Sequence, residues 1–298
     1  MQILYGRNKY TDVTNYFIKD DFISIPVGDR ARADIAKVDP DPGVLKHIII
    51  LHNHSYFIVE NQFGLYTPVN ELNYLSIQKS QQEMESYLMD VHKTIIFNYG
   101  YIQEEVPEQL MALRFIKPTD TVLELGANIG RNTCVISRIL NDNKRLVTLE
   151  TDIQIAHILD RVRIENGMNF NIINAGLSKS KVIQRGWDSI QWNPVEPIPE
   201  GWTEVNTITL SAIKERYSNL SFNVLVADCE GALYYICQDE PDFFSNFNRI
   251  IMENDYRVAE HKQYIDNELT RQGFVCIYSE SGGWGPCESC FFETWLKI

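Results

Sequence analysis

From Lys117-Pro118 onward the chain alternates short, continuously apolar runs with longer amphipathic stretches, and that alternation leaves few folds open. The runs Val122–Leu125, Leu146–Leu149, 171–175, Val224–Ala227, 250–252 and 275–278 have no polar face, so each predicts a strand covered on both sides. Between them, 129–140, 153–166, 209–217, 232–237 and 258–271 carry apolar residues at helical spacing. Strands and helices alternating at this spacing predict a parallel sheet with helices on both faces. The final run, 291–296, follows its predecessor through a loop instead of a helix, so it should pair antiparallel. The expected fold class is α/β, a seven-stranded sheet with an antiparallel last strand.

The first part of the chain reads differently. Short β-like runs at 3–5, Phe22–Ile25, 45–51 and 56–59 are separated by turns, and Asp39-Pro-Asp-Pro-Gly43 is a strong breaker. This predicts a small β-rich module over 1–72, which is also the part available for self-association into a homo-oligomer. Its His52-Asn53-His54 puts two imidazoles on one strand face, a surface pair rather than a metal site. A helical pattern follows over 74–114, interrupted near 98–100, with Pro107 suited to the first turn of the second helix. Residues 73–298 then form the second domain, linking helices included.

Composition removes whole classes. With 27 basic and 40 acidic side chains the formal charge is −13, which sets a polyphosphate against a repulsive field and excludes a general nucleic-acid binder. No window approaches a membrane span, and the opening residues lack the layout of a signal peptide, so the expected compartment is the cytoplasm. The six cysteines form no disulfide framework. Cys287 and Cys290 lack the further ligands of a zinc site, and read as two reduced thiols at a strand entrance.

The chemistry gathers at strand ends. The first junction, Glu124-Leu-Gly-Ala-Asn-Ile-Gly130, ends a strand in an acid, turns on glycine and opens a helix. Gly126 and Gly130 let backbone pass close to a ligand. A dinucleotide fingerprint would have a glycine at Asn128, and Glu124 would oppose a diphosphate. An acid there suits a ligand with a cationic amino group, such as S-adenosylmethionine. The second strand ends in Glu150, where a carboxylate can accept both ribose hydroxyls. Strands ending at Asp228-Cys-Glu230-Gly231 and at Glu253-Asn254-Asp255 deliver further acids to the same edge. If those two strands are neighbours, Asp228 and Glu253 converge.

Together with Asn174-Ala-Gly-Leu-Ser178 and Ile250-Ile-Met-Glu253, these ordered motifs resemble those of the FkbM-family methyltransferases over about residues 110–298. The resemblance implies a class I methyltransferase (Rossmann-like) sheet and S-adenosylmethionine-dependent O-methyl transfer to a hydroxyl of a sugar or glycan. It implies that Glu124, Gly126, Asn128 and Gly130 hold the methionine part and Glu150 the ribose, with Asn174 and Ala175 beside the adenine. Three departures are Glu150-Thr151, where the family has Glu-Pro, Leu210-Ser211, where it has Leu-Asp, and Glu230-Gly-Ala-Leu233, where it often has E-G-A-E.

A sugar hydroxyl is a poor nucleophile, so a base or a metal must help remove its proton. Asp228, Glu253 and Asn254 resemble the strand-end metal triad of Mg²⁺-dependent O-methyltransferases, and hard oxygen ligands suit Mg²⁺. The alternative is a metal-free carboxylate pair. His261 on the following helix is a further candidate base. Trp187, Trp192 and Trp202, in a proline-containing insert, and Trp284, in the last loop, could stack on sugar faces. Two rival readings are a nucleotide-sugar or NAD oxidoreductase, which lacks its middle glycine and a Tyr-x-x-x-Lys pair, and a non-catalytic adenosine- or glycan-binding module.

Overall fold

Seven strands form one sheet, the central ones made of buried β-branched and leucine side chains: β1 Val122–Leu125, β2 Leu146–Leu149, β3 Asn171–Ile173, β4 Val224–Ala227, β5 Arg249–Glu253, β6 Phe274–Glu280 and β7 Phe292–Lys297. The structure is a computed structural model describing residues 1–52, 55–59, 61, 64–69 and 81–297. The strand order is β3-β2-β1-β4-β5-β7-β6. Pairing is parallel from β3 across to β5, while β7 runs antiparallel to both β5 and β6. This is the class I methyltransferase (Rossmann-like) sheet expected from the sequence.

Alternation along the central strands divides the core. Leu123, Leu125, Leu225, Ala227, Ile250 and Met252 face one layer, which contains Phe243, Phe244 and Phe247. Val122, Val224, Val226 and Ile251 face the other, with Met111 and Phe115 of the helix Val106–Phe115. Each fully buried side chain of this size contributes about 1.5–3 kcal/mol by leaving water. Between β1 and β4 the strand order reverses, and their carboxyl ends open a crevice where folds of this kind place ligands.

The N-terminal strands pair only among themselves within the described residues. One sheet has the order Tyr10–Asp12, Gln2–Gly6, His47–His52, Ser55–Val59, and a second joins Ile18–Lys19, Phe22–Ile25 and Leu65–Pro68. The breaker at 39–43 is a real turn, and the Asp41 carboxylate accepts the N–H groups of Arg7, Asn8 and Lys9 at 3.1, 2.7 and 2.9 Å. A helix at Asp29–Ala36 was not anticipated. The buried residues of this region, including Ile3, Tyr5, Phe17 and Ile48, belong to the same apolar cluster as Val122 and Ile251. Asn53 and His54, and the start of the expected helix at 74–80, lie outside the described residues. Among the described residues no helix is long and apolar enough to cross a membrane.

The interval after β3 also holds more structure than its prolines and tryptophans suggested. Val182–Arg185, Asp188–Gln191 and Thr203–Val205 form a three-stranded antiparallel sheet that folds back toward the carboxyl edge of the main sheet.

Candidate active site

Two carboxyl-end turns meet where β1 and β4 lie side by side. Gly126 has φ +84°, and a Cβ there would sit 1.5 Å from the Asp228 carbonyl oxygen. Glycine is demanded by the neighbouring strand end itself. Gly130 takes a left-handed φ of +95°, a conformation that favours glycine, at the start of the helix Arg131–Ile139. Between them Asn128 takes a left-handed φ of 49° and donates its backbone N–H to Glu150 Oε2 at 2.9 Å. The other oxygen, Glu150 Oε1, accepts from the Asp152 N–H at 2.8 Å. Glu150 is thus a buried carboxylate held by two amides, with lone pairs left to accept more.

Gly126, Asn128 and Glu150 line a cavity that continues past Thr151 to Ala175, Gly176 and Leu177 and is closed by Val182, Gln184, Trp187 and Ser189 of the insert. Its inner end is formed by Asp228, Cys229 and Glu230. Other expected residues face elsewhere. Glu124 alternates to the buried face of β1, where its carboxylate accepts from Thr133 Oγ1 at 2.7 Å, and burial pushes its carboxyl up to about 7. Asn174 spends its amide on the carbonyls of Glu150 and Thr151 at 2.9 and 3.0 Å, shaping the β2 turn beside the cavity.

The second feature is a carboxylate group at the ends of β4 and β5. Glu108, Asp228 and Glu253 each offer an oxygen within 4.8 Å of the others. Asp228, Glu230 and Asp255 form an overlapping set under the same limit. Burial and mutual repulsion raise all of these groups: Asp228 goes well above the ordinary carboxylate range, Glu108 and Asp255 to about 7, and Glu253 to about 8. One oxygen of Glu108 and one of Asp255 are buried without a hydrogen-bond partner. A left-handed Glu230, at φ 53°, and Gly231 turn the chain so that the Gly231 N–H reaches Asp255 Oδ1 at 2.7 Å.

Asp228 and Glu253 are therefore brought together, as the strand reading expected of neighbours. Asn254 bonds the Phe291 carbonyl through its backbone N–H and the Cys290 carbonyl through its side-chain nitrogen at 2.6 Å, and its Oδ1 is buried without a hydrogen-bond partner. His261 stacks on Tyr234, ring centroids 3.6 Å apart, instead of joining the carboxylates.

Glu108 was missed from sequence. It sits in the first turn of the helix Val106–Phe115, whose remaining face packs on β5 and β7. The available signal was a pair of acids, Glu105 and Glu108, one helical turn apart at the head of an otherwise apolar helix. Glu105 is itself occupied by Arg131 Nη1 and the Asn132 N–H, both at 3.2 Å.

No protein-family model and no curated protein matches the sequence. Solved structures do. An O-methyltransferase from Bacillus cereus in complex with SAH is similar at 15% identity over 76% of this chain and 96% of its own, with a TM-score of 0.39. An rRNA methylase from Streptococcus thermophilus is similar at 6% identity over 68% of this chain and 99% of its own, TM-score 0.39. A ribosomal-protein methylase from Lactobacillus delbrueckii subsp. bulgaricus shows 11% identity over 67% of this chain and 81% of its own, TM-score 0.41. Likeness this low does not bear on reaction or substrate, which have to be read from the site.

Proposed function

We propose that the protein is an S-adenosylmethionine-dependent O-methyltransferase that acts on a hydroxyl of a sugar or glycan. The observation that carries the reading is the juxtaposition of a cavity ending on Glu150 with a carboxylate group at Asp228 and Glu253. The donor set fits the cofactor. Glu150 has acceptor capacity for two ribose hydroxyls, and the acidic inner end suits a sulfonium and an ammonium. A nicotinamide dinucleotide fits less well, because Asp228 and Glu230 stand where its diphosphate would need positive partners. The ordered FkbM-like motifs point the same way.

Bound there, S-adenosylmethionine would supply a methyl group on a positively charged sulfur. The chain's part is to hold the acceptor oxygen in line and take its proton as the C–S bond breaks and the C–O bond forms. Asp228 and Glu253 are the groups placed for that transfer. Glu108, Asp228 and Glu253 also fit a hard divalent cation such as Mg²⁺, since they present oxygens only and one oxygen of Glu108 is unpartnered. Such an ion would offset their repulsion and acidify the acceptor. In this reading Glu108 joins Asp228 and Glu253 in the set.

The acceptor assignment rests on the exposed ring of Trp284, in the connection between β6 and β7, and on the acidic lining of the cavity, which opposes a nucleic acid. The test is methyl transfer from labelled S-adenosylmethionine to a panel of free glycans and to RNA, with and without EDTA. Label on a glycan, lost with EDTA and restored by Mg²⁺, is the expected result. Label on RNA alone would overturn the acceptor, and no transfer to any acceptor would leave only a binding module.

A further inference from the structure

We propose that the hairpin at 182–191 is a lid on the base of the bound nucleoside, with Trp187 stacking on the ring and Gln184 reading its edge. The inference rests on the S-adenosylmethionine reading above and adds how this chain recognises adenine.

The hairpin's register puts the relevant side chains together. Gln184 pairs opposite Ser189, and Val182 lies two residues before Gln184 on the same strand face. All three line the cavity, together with Trp187 in the connecting turn. Gly186, at φ +57°, supplies the left-handed residue that lets the turn form and carries Trp187 to the lip. If Glu150 takes the ribose, the base extends past Thr151 toward Ala175 and Leu177, and the hairpin is what it meets next.

Trp187 is an unusual cavity wall because 61% of it is exposed. A flat aromatic ring wetted on one face gains by having a base laid on it, and base–aromatic stacking is indifferent to which base it is. Discrimination then needs a polar reader. A glutamine amide can donate to one ring nitrogen of adenine and accept from its exocyclic amine, which hypoxanthine lacks. Gln184 is the lining amide on the hairpin.

The lid is also fastened. Asp188, next to Trp187, forms an ion pair with Arg257 and lies 3.7 Å from Arg185. Arg257 follows β5 and lies over the ring of Trp284, 5.3 Å from its centroid, in the β6–β7 connection. One guanidinium therefore ties the lid to the loops beyond Asp228 and Glu253, where the acceptor would enter.

Titration of S-adenosylhomocysteine, by calorimetry and intrinsic fluorescence, tests the lid. Trp187→Ala should weaken binding tenfold or more and abolish most of the fluorescence change, while Trp187→Phe keeps affinity within about threefold, because a ring is retained. Gln184→Ala should reduce the preference for S-adenosylhomocysteine over its inosine analogue at least fivefold. Arg257→Ala should speed dissociation. Equal affinity of wild type and a folded Trp187→Ala protein overturns the lid and leaves the cofactor reading standing. Failure of the wild type to bind overturns both.

Discussion

The two ends of the sheet treat charge in opposite ways. At the amino ends of β1, β4 and β5, Asp120 is buried, and its oxygens accept from Asn223 Nδ2 at 2.7 Å, the Lys117 N–H at 2.7 Å and Arg249 Nη1 at 3.2 Å. Asn223 in turn accepts from the Thr121 N–H at 2.7 Å. Asp120 thus has both a cation and neutral donors. At the carboxyl ends of the same strands, Glu108, Asp228, Glu253 and Asp255 crowd together with raised proton affinities and two unpartnered oxygens. A fold that satisfies one end so fully is able to satisfy the other. Crowding acids together costs stability, and the cost is understandable where a ligand completes the set.

That contrast can be broken by experiment. The largest effect is expected at the crowded end. Asp228→Asn should lower turnover by about 10²–10⁴, the usual contribution of a positioned acid or base, with S-adenosylhomocysteine affinity changed only a few-fold. Wild-type turnover in this variant would remove Asp228 from the chemistry. At the paired end, Arg249→Met strands a buried carboxylate and should cost about 3–5 kcal/mol in denaturant unfolding, while cofactor affinity at low temperature is preserved. If the two variants exchanged phenotypes, the division of labour between the ends would be wrong.

Glu150→Ala should weaken cofactor binding by about 1.5–3 kcal/mol, the value of a lost hydrogen bond to a charged group. Its measurement is calorimetry on protein with an unchanged circular dichroism spectrum, and unaltered affinity would remove the ribose role.

The smallest effect is on melting temperature against pH. A carboxyl raised in the folded state binds its proton more tightly there than in the unfolded chain. Its contribution is therefore full at acid pH and is lost as pH rises from the ordinary carboxylate range through about 7 for Glu108 and Asp255 and about 8 for Glu253. Melting temperature should fall between pH 6 and pH 8 by about a few degrees. Mg²⁺ should restore most of that at pH 8 and little at pH 6. A flat profile, or a Mg²⁺ effect independent of pH, would contradict the carboxylate group as described. Glu124, raised to about 7 beneath the helix Arg131–Ile139, adds a part of the slope that Mg²⁺ cannot reach.

The sheet was legible because strands buried on both faces must be apolar throughout, and Val224–Ala227 and its neighbours leave no other reading. The convergence of Asp228 and Glu253 was legible for the same reason, since both close such strands. Glu124 lies inward because a strand-end acid can alternate to the buried face, and Thr133 is there to donate to it. Glu108 was invisible because its place depends on how a helix far from β5 in sequence docks on the sheet. The hairpin at 182–191 was hidden by its own composition. Alternation of Val182, Gln184 and Ile183, Arg185 is too short to stand out beside three tryptophans and several prolines.

The most direct test of the difference between the two ends is hydrogen exchange with and without S-adenosylhomocysteine. The account predicts slowed exchange at 126–130, 150–152, 175–177 and 228–231, with no change at 117–121 and 223. Protection confined to the amino ends, or none anywhere at saturating ligand, would contradict it.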